Sequence, residues 1–120
     1  MNYVEEILQA VSISLIVATF LVNTGRALKA IELGKESLLL LSDKVLSVKM
    51  PLRQIIYKKI YHTMFEAYRR VSDRTNAIAC GQKLLAIHRE CDEKAQEVKL
   101  SIALAEIYQS QNLYADAKEL

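Results

Sequence analysis

Residues 66–92 read EAYRRVSDRTNAIACGQKLLAIHRECD, and this stretch decides the fold. One apolar helical pattern runs into it and passes Tyr68, and a second begins at Ala77. Between the two patterns lie Ser72-Asp73 and Thr75, and either can cap a helix with a side-chain oxygen that accepts hydrogen bonds from free amides of its first turn. The pattern therefore predicts two helices joined by a short turn.

Breaks on either side of this stretch separate the other helices. Gly25 is the residue type that ends a helix in the left-handed conformation, and Pro51 suits a first helical turn because its missing amide would be unpaired there. The predicted helices span about residues 3–23, 26–48, 51–71, 73–90 and 93–110, and a sixth begins at Leu113 after Gln111-Asn112. The chain is thus predicted to be all-α.

The third predicted helix is apolar on two sides. Its stripes are Ile56, Ile60, Met64, Ala67 and Val71 on one side and Tyr57, Tyr61, Phe65 and Tyr68 on the other. A helix in an isolated hairpin needs only one such stripe. We therefore expect neighbours on both flanks, as in a layered stack or a bundle.

Composition agrees with one small helical domain. The chain has 120 residues, 52% of them hydrophobic, with only three Gly and one Pro. A β-sandwich needs turn residues roughly every 8–12 positions, so most all-β folds are excluded. The two cysteines, Cys80 and Cys91, lack partners for a zinc site and are interpreted as free thiols, which favours a reducing cytoplasmic compartment.

An internal repeat relates the predicted hairpins. A pair of matched positions recurs first at an offset of 47 and then at an offset of 40 residues. The matched positions are Leu21, Tyr68 and Tyr108 for a large residue and Ala30, Ala77 and Ala117 for a small one. The longer first offset indicates a longer connection around Ser47 to Pro51.

With these residues the chain resembles the tetratricopeptide repeat (TPR) family, in the forty-residue variety of spindle-orientation adaptors and kinesin light chains. The resemblance rests on Glu66-Ala67-Tyr68, Ser72-Asp73, Ala77-Ile78, residues 82–87 and Cys91-Asp92. It implies an α-solenoid of antiparallel helix hairpins in one domain, residues 1–120, with repeats at about 3–48, 51–91 and 93–120, the last incomplete. The chain departs from the family pattern at Arg74, where an aromatic residue is common, and the usual glycine pair is missing.

A plain helical bundle with accidental spacing is the alternative fold. In the repeat interpretation, burial between neighbouring helices is expected for Leu38, Ile56, Ile60, Tyr68, Leu84 and Tyr108. Because repeat arrays need polar caps, we expect this chain to belong to a longer array and to self-associate through its open C-terminal end.

No pattern indicates an enzyme, a metal site or a cofactor. The sequence has no phosphate-binding glycine loop and no His-Glu-x-x-His motif. His62 and Glu66 lie one helical turn apart and could serve as a general base, but no nucleophile has a place beside them. A solvated ion pair is the alternative interpretation of these two residues.

Positive charge is concentrated in the middle of the chain. Eight basic and two acidic residues lie between Lys44 and Arg74, whereas the whole chain carries a net charge of only +2. This is either ordinary solvation of a long helix or a surface that attracts acidic peptides. Nucleic acid is not expected as a partner, because the tyrosines follow core spacing and form no separate stacking platform.

In the family that the chain resembles, the first helix of each repeat lines a concave side that holds a peptide. The resemblance places on that groove Lys59, His62, Thr63, Glu66, Arg69 and Arg70 from the second repeat, and Lys99, Ile102, Glu106 and Gln109 from the third. The first repeat adds Ser12, Leu15, Thr19 and Asn23, which are uncharged. The expected ligand is an acidic peptide with one apolar anchor.

These expectations define a cytoplasmic, non-enzymatic scaffold that binds other proteins or peptides. The alternative is a membrane-attached helical regulator anchored by residues 7–22, since Ile7 to Gly25 contains no charged residue. Spanning a bilayer takes about 20 predominantly apolar residues. Polar residues interrupt this run, so a buried helix is the preferred interpretation of it.

Overall fold

The computed structural model describes residues 3–41 and 50–119, and the side chains of residues 3–41 and 52–112. Its helices are α1 (Tyr3–Asn23), α2 (Ala27–Leu41), α3 (Met50–Arg70), α4 (Arg74–Glu90) and α5 (Lys94–Glu119). No strand occurs in these ranges. The predicted all-α class is confirmed, and the part of the second predicted helix beyond Leu41 lies outside the described residues.

Three turns between helices have the same backbone geometry. Gly25, Ser72 and Asp92 have positive φ angles of 80°, 61° and 54°. In each turn the following amide donates to the carbonyl five residues earlier, at 2.7 Å onto Leu21, 2.9 Å onto Tyr68 and 2.9 Å onto His88. This Schellman geometry satisfies the last carbonyls of one helix and directs the chain into the next. Leu21 and Tyr68, matched by the offset of 47, thus occupy equivalent positions before their turns.

α4 begins with the predicted cap. Asp73 accepts a hydrogen bond from the Asn76 amide at 3.2 Å, and its other carboxylate oxygen accepts one from Asn76 Nδ2 at 2.7 Å. These bonds satisfy a free donor of the first turn of α4. The cap follows the turn at Ser72 directly, so the short loop both ends α3 and starts α4.

The predicted break at Gln111-Asn112 is absent, and the prediction of a sixth helix from Leu113 is wrong. α5 runs through this pair as one helix. Gln is a good helix former and Asn costs little in a helix interior. Neither residue takes the left-handed conformation that ends α1, α3 and α4. The side chains of the predicted open end, Leu113, Ala117 and Leu120, lie outside the described ones.

Each helix packs against the next one along the chain, and α1 also packs against α3. α3 therefore has neighbours on both flanks, as its two apolar stripes predicted. Ile60, Met64 and Ala67 of one stripe and Phe65 and Tyr68 of the other are buried. The core consequently follows α3 along its length.

Two glycines allow close approach of helices. A Cβ atom at Gly34 of α2 would lie 2.5 Å from Cγ of Met64 on α3. A Cβ atom at Gly81 of α4 would lie 2.7 Å from Cδ2 of Leu104 on α5 and 3.0 Å from Cε2 of Phe65. Because these positions have no side chain, α2 can pack closely on α3, and α4 can pack closely on α5.

Burial follows the expected core except at its C-terminal side. Ile60, Tyr68 and Leu84 are buried, and Leu38 and Ile56 are partly buried against the same core. Tyr108 was expected in the core and is 43% exposed. Within the described residues no helix covers its side of α5, and its hydroxyl instead accepts a hydrogen bond from Gln82 at 2.9 Å.

Candidate functional site

Three cavities lie along one side of the molecule, between α1, α3 and α5, and His62 lines all of them. We call the surface formed by these three cavities the groove. The α3 residues that line it recur every three or four positions, which places them on one face of that helix. The groove therefore combines a face of α3 with the facing sides of α1 and α5.

The first cavity, of about 530 Å³, separates α1 from the first half of α3. Its lining is Leu8, Gln9, Val11, Ser12, Leu15, Ile16, Thr19, Leu52, Ile55, Ile56, Lys59, His62 and Thr63. Lys59 is the only Lys, Arg, Asp or Glu of this lining, and aliphatic side chains predominate. This part of the groove suits an apolar side chain of a ligand.

The second cavity, of about 340 Å³, lies between α3 and α5. Its lining is His62, Phe65, Glu66, Arg69, Leu84, His88, Gln96, Lys99, Leu100 and Ala103. Phe65, Leu84 and Leu100 are buried, whereas Arg69 and Lys99 are exposed. The cavity thus has an apolar floor and a charged rim.

The third cavity, of about 320 Å³, lies at the junction of the C-terminal end of α1 with α3. Thr19, Val22, Asn23, His62, Thr63, Glu66 and Arg70 line it. Arg70 Nη1 donates a hydrogen bond to the Val22 carbonyl at 3.1 Å. This bond joins the two helices and satisfies a carbonyl at the end of α1.

The cations of the groove are not equally available to a ligand. Arg69 Nη1 lies 3.5 Å from Glu66 Oε1, and Arg70 is bonded to the backbone of α1. The ammonium groups of Lys59 and Lys99 are exposed and form no ion pair or hydrogen bond within the described residues. These two lysines are therefore the cations of the groove lining whose donors are unused.

Most of the predicted groove residues lie together. Lys59, His62, Thr63, Glu66, Arg69, Arg70 and Lys99 line the groove, as do Ser12, Leu15, Thr19 and Asn23 of α1. Glu106 lines a smaller adjoining cavity of about 240 Å³ with Arg69. Ile102 and Gln109 are exposed on α5 and line none of the cavities described here. The difference arises because α5 turns another face of its surface towards α3.

Sequence reasoning missed the floor of the groove. Phe65, Leu84 and Leu100 belong to apolar stripes whose spacing indicates core, and no sequence signal distinguishes a cavity floor from a filled interior. His88 of α4 also lines the second cavity and is 8% exposed. Its Nδ1 lies 3.1 Å from Glu93 Oε1, an oxygen that also accepts from Lys58 at 2.8 Å. The hydrogen bond from Lys58, and to a smaller extent the one with His88, lowers the pKa of Glu93.

The groove shows no arrangement for acid–base or nucleophilic chemistry among the described residues. Glu66 is paired with Arg69, and no hydrogen bond joins it to His62, so the predicted ion pair of His62 and Glu66 is not formed. Burial raises the pKa of the Cys80 thiol, which therefore stays protonated near neutral pH. Among the side chains of residues 3–41 and 52–112, no three His, Cys, Asp or Glu cluster as metal ligands.

Comparison with protein-family models, with curated proteins and with solved structures gives no significant match. The features that bear on function are therefore the groove and the surface of α1. Among the described helices, α1 is the one long and apolar enough to cross a membrane by length and composition, with a mean hydropathy of 1.7.

Proposed function

We propose that this chain is a non-enzymatic protein-interaction segment, a TPR-like solenoid of helix hairpins that binds an acidic peptide along the groove. The observation that carries the proposal is the continuity of the three cavities through His62. One end of the groove is aliphatic, and the other carries Lys99 and Arg69 on its rim. An extended peptide with an apolar anchor and acidic residues matches both ends.

The order of helix contacts supports the solenoid part of the proposal. Consecutive helices pack against each other, and α1 packs against α3, which are the first helices of successive hairpins. A solenoid stacks first helices beside one another to form its inner side. The groove lies along that side, between α1, α3 and α5. A cytoplasmic location is part of this proposal and follows from the free thiols.

Binding of fluorescent peptides, followed by anisotropy, tests the proposal. The probe is a peptide with a central Leu followed by four Asp, measured at low and high salt. We expect the double variant Lys59→Glu, Lys99→Glu to lose at least about tenfold in affinity, since attraction becomes repulsion at both positions. The matched control, Lys29→Glu with Lys35→Glu, has the same change in charge on exposed positions of α2.

Equal loss of binding in the control pair would show that only net charge matters and would contradict a groove site. An affinity that changes neither with salt concentration nor in either double variant would contradict a groove site as well. Arg69 and Arg70 are poorer test positions, because changing Arg70 also removes its bond to the Val22 carbonyl.

A second candidate function, attachment to a membrane through α1, is favoured by one observation. Ile13, Ile16, Val17 and Phe20 form a stripe at helical spacing, and all four are exposed, Ile16 by 71% and Phe20 by 59%. Their α1 neighbours on the opposite side are buried in the core. Such a helix could lie with its outer face in a lipid surface.

Sedimentation with phosphatidylcholine vesicles tests the membrane candidate. Attachment predicts that the chain pellets with vesicles at any salt concentration and that Ile13→Gln with Phe20→Gln abolishes this. A chain that stays in the supernatant at all lipid concentrations contradicts it. The peptide titration above does not depend on this outcome.

A further inference from the structure

A fourth cavity, of about 320 Å³, lies between α3 and α4 on the side of α3 away from the groove. Its lining is Arg53, Gln54, Tyr57, Tyr61, Lys83, Ala86, Ile87 and Glu90. We call it the α3–α4 cavity. Arg53, Tyr57 and Tyr61 are four residues apart and so form one line along α3, about 160° around the helix from the groove residues.

Two tyrosines form the wall of this cavity on α3. The rings of Tyr57 and Tyr61 are stacked, with centroids 6.1 Å apart and an interplanar angle of 21°. Both side chains are only partly buried, and Ile87 of α4 is a partly buried aliphatic residue of the same lining. Desolvation raises the pKa of both phenols, so both hydroxyls stay protonated and can donate hydrogen bonds at neutral pH.

A cation lies at each end of the tyrosine pair. Lys83 Nζ is 5.5 Å from the centroid of the Tyr61 ring, a cation–π contact. Arg53 precedes Tyr57 by one helical turn, and its Nε is buried without a hydrogen-bond partner. Neither cation forms an ion pair within the described residues. A helical rise of 1.5 Å per residue separates Arg53 from Tyr61, and hence from the Lys83 end, by about 12 Å.

The carboxylate of the lining is already bonded. Glu90 Oε2 accepts a hydrogen bond from Gln54 Nε2 at 3.0 Å, and Gln54 Oε1 lies 3.5 Å from the Cys91 thiol. Arg53 and Lys83 thus remain as two cations with unused donors, on either side of an aromatic surface. Such a surface complements acidic groups that flank an aromatic or apolar one.

We propose that the α3–α4 cavity binds an extended segment of a partner protein in which an aromatic residue is flanked, two residues away on each side, by acidic residues. An extended chain rises about 3.3 Å per residue, so positions i and i+4 lie about 13 Å apart, close to the rise of about 12 Å along α3 from Arg53 to Tyr61, the ring that Lys83 contacts. Side chains at i, i+2 and i+4 point to the same side of such a segment. The acidic residues reach Arg53 and Lys83 while the aromatic ring packs on Tyr57, Tyr61 and Ile87.

A peptide fits this site better than single-stranded nucleic acid. Glu90 adds a negative charge to the lining, and the tyrosines stack on each other rather than offering separate platforms for successive bases. A strand of phosphates also needs a continuous basic path. This cavity offers two separated cations instead.

Tryptophan fluorescence tests the proposal directly, because the chain itself contains no Trp. The probe is the blocked peptide Gly-Asp-Ser-Trp-Ser-Asp-Gly, whose emission should shift to shorter wavelength on binding. We expect Arg53→Glu and Lys83→Glu each to weaken binding about tenfold, and Arg53→Lys and Lys83→Arg to retain most of it. The isomeric peptide Gly-Trp-Ser-Ser-Asp-Asp-Gly should bind about tenfold more weakly, because its acidic residues are adjacent.

Two controls test whether peptide binding depends on the α3–α4 cavity itself. Lys94→Glu has the same change in charge on an exposed residue outside all the cavities described here and should bind normally. The groove variant Lys59→Glu, Lys99→Glu should also bind normally, so failure of the groove proposal leaves this one standing. If a reversal disturbs folding, as judged by circular dichroism, Arg53→Gln and Lys83→Gln replace the two charge reversals.

Several results overturn the proposal. These are unchanged binding in the Arg53 and Lys83 variants, an equal loss in Lys94→Glu, equal binding of the isomeric peptide, and absence of binding to the wild-type chain. Tighter binding of a thymidine oligonucleotide with the same dependence on Arg53 and Lys83 would assign the cavity to nucleic acid instead of a peptide.

Discussion

The effect of Gly34→Ala on the free energy of unfolding should depend on the residue at position 64. It should be destabilising with Met64, because the added methyl group collides with that side chain, and stabilising in the Met64→Ala variant. In the wild-type chain the new Cβ lies 2.5 Å from Met64 Cγ and 2.9 Å from Sδ, closer than carbon atoms can approach. Met64 is buried, so its side chain has little room to move. Cγ is also close to the α3 backbone, and relief of the contact therefore requires α2 and α3 to separate.

The expected magnitudes follow from two opposing effects. Replacing Gly by Ala inside a helix stabilises it by about 1 kcal/mol, whereas overpacking a core costs about 1–3 kcal/mol. Gly34→Ala should therefore destabilise the wild-type chain by up to about 2 kcal/mol. Met64→Ala alone should cost about 2–5 kcal/mol through the cavity it leaves. With Met64→Ala already present, Gly34→Ala should stabilise by about 1 kcal/mol, because the colliding atoms are gone.

Urea unfolding followed by circular dichroism measures this double-mutant cycle, with the m-value checked for constancy. Gly81→Ala is the matched control, because its Cβ would meet Leu104 and Phe65 instead of Met64. Its effect should be the same with either residue at position 64. If Gly34→Ala has the same effect in both backgrounds within about 0.5 kcal/mol, α2 and α3 do not approach at this point. The close stacking of one hairpin on the next would then be refuted.

Three further predictions concern a turn, a helix contact and an ion pair. Ser72→Gly should stabilise by about 1 kcal/mol, because Ser72 is held at a φ of 61° that glycine adopts without strain; an unchanged unfolding midpoint would contradict this. Ala77→Leu should cost about 1–3 kcal/mol in urea unfolding, since Ala77 is 1% exposed and the added side-chain atoms must displace buried neighbours. Glu93 has a pKa below its ordinary 4.5 because it accepts hydrogen bonds from Lys58 and His88. Its contribution to stability is present above that ordinary value and is lost as the pH falls through the lower folded value, so Glu93→Gln should reduce the loss of stability on acidification below about pH 4.5. Identical pH profiles of the two proteins would rule out this role.

The groove and the α3–α4 cavity give α3 two different recognition surfaces. The groove is lined by α1 and α5 opposite one face of α3, and its free cations are Lys59 and Lys99. The α3–α4 cavity takes its character from the tyrosines and from Arg53 and Lys83. Charge reversals at the two pairs therefore separate the two proposed binding activities in one set of variants.

Local sequence determined the helices and the faces of α3. Gly25 and the Asp73 cap are short-range signals, and they mark the ends and beginnings that the structure has. The helical spacing of Lys59, His62 and Glu66 places these residues on one face whatever the neighbours of that helix are. Spacing therefore predicts that they share a face of α3, whereas only the resemblance to the TPR family placed that face on a groove.

Other features depend on which helices meet. Gln111-Asn112 is a weak break that helix propensity alone cannot decide, and α5 continues through it. Tyr108 has the spacing of Tyr68 but remains exposed, because burial requires a helix on the outer side of α5.

The sequence by itself thus determined an all-α chain, the turns at Gly25 and before Asp73, and which α3 residues share a face, because helix periodicity and capping act over a few residues. The tertiary structure alone decided that Glu66 pairs with Arg69, that Arg70 binds the Val22 carbonyl and that Lys83 lies over Tyr61. Each of these depends on the rotation of a side chain or on contact between residues of different helices. Spacing along the chain restricts such contacts but does not select among them.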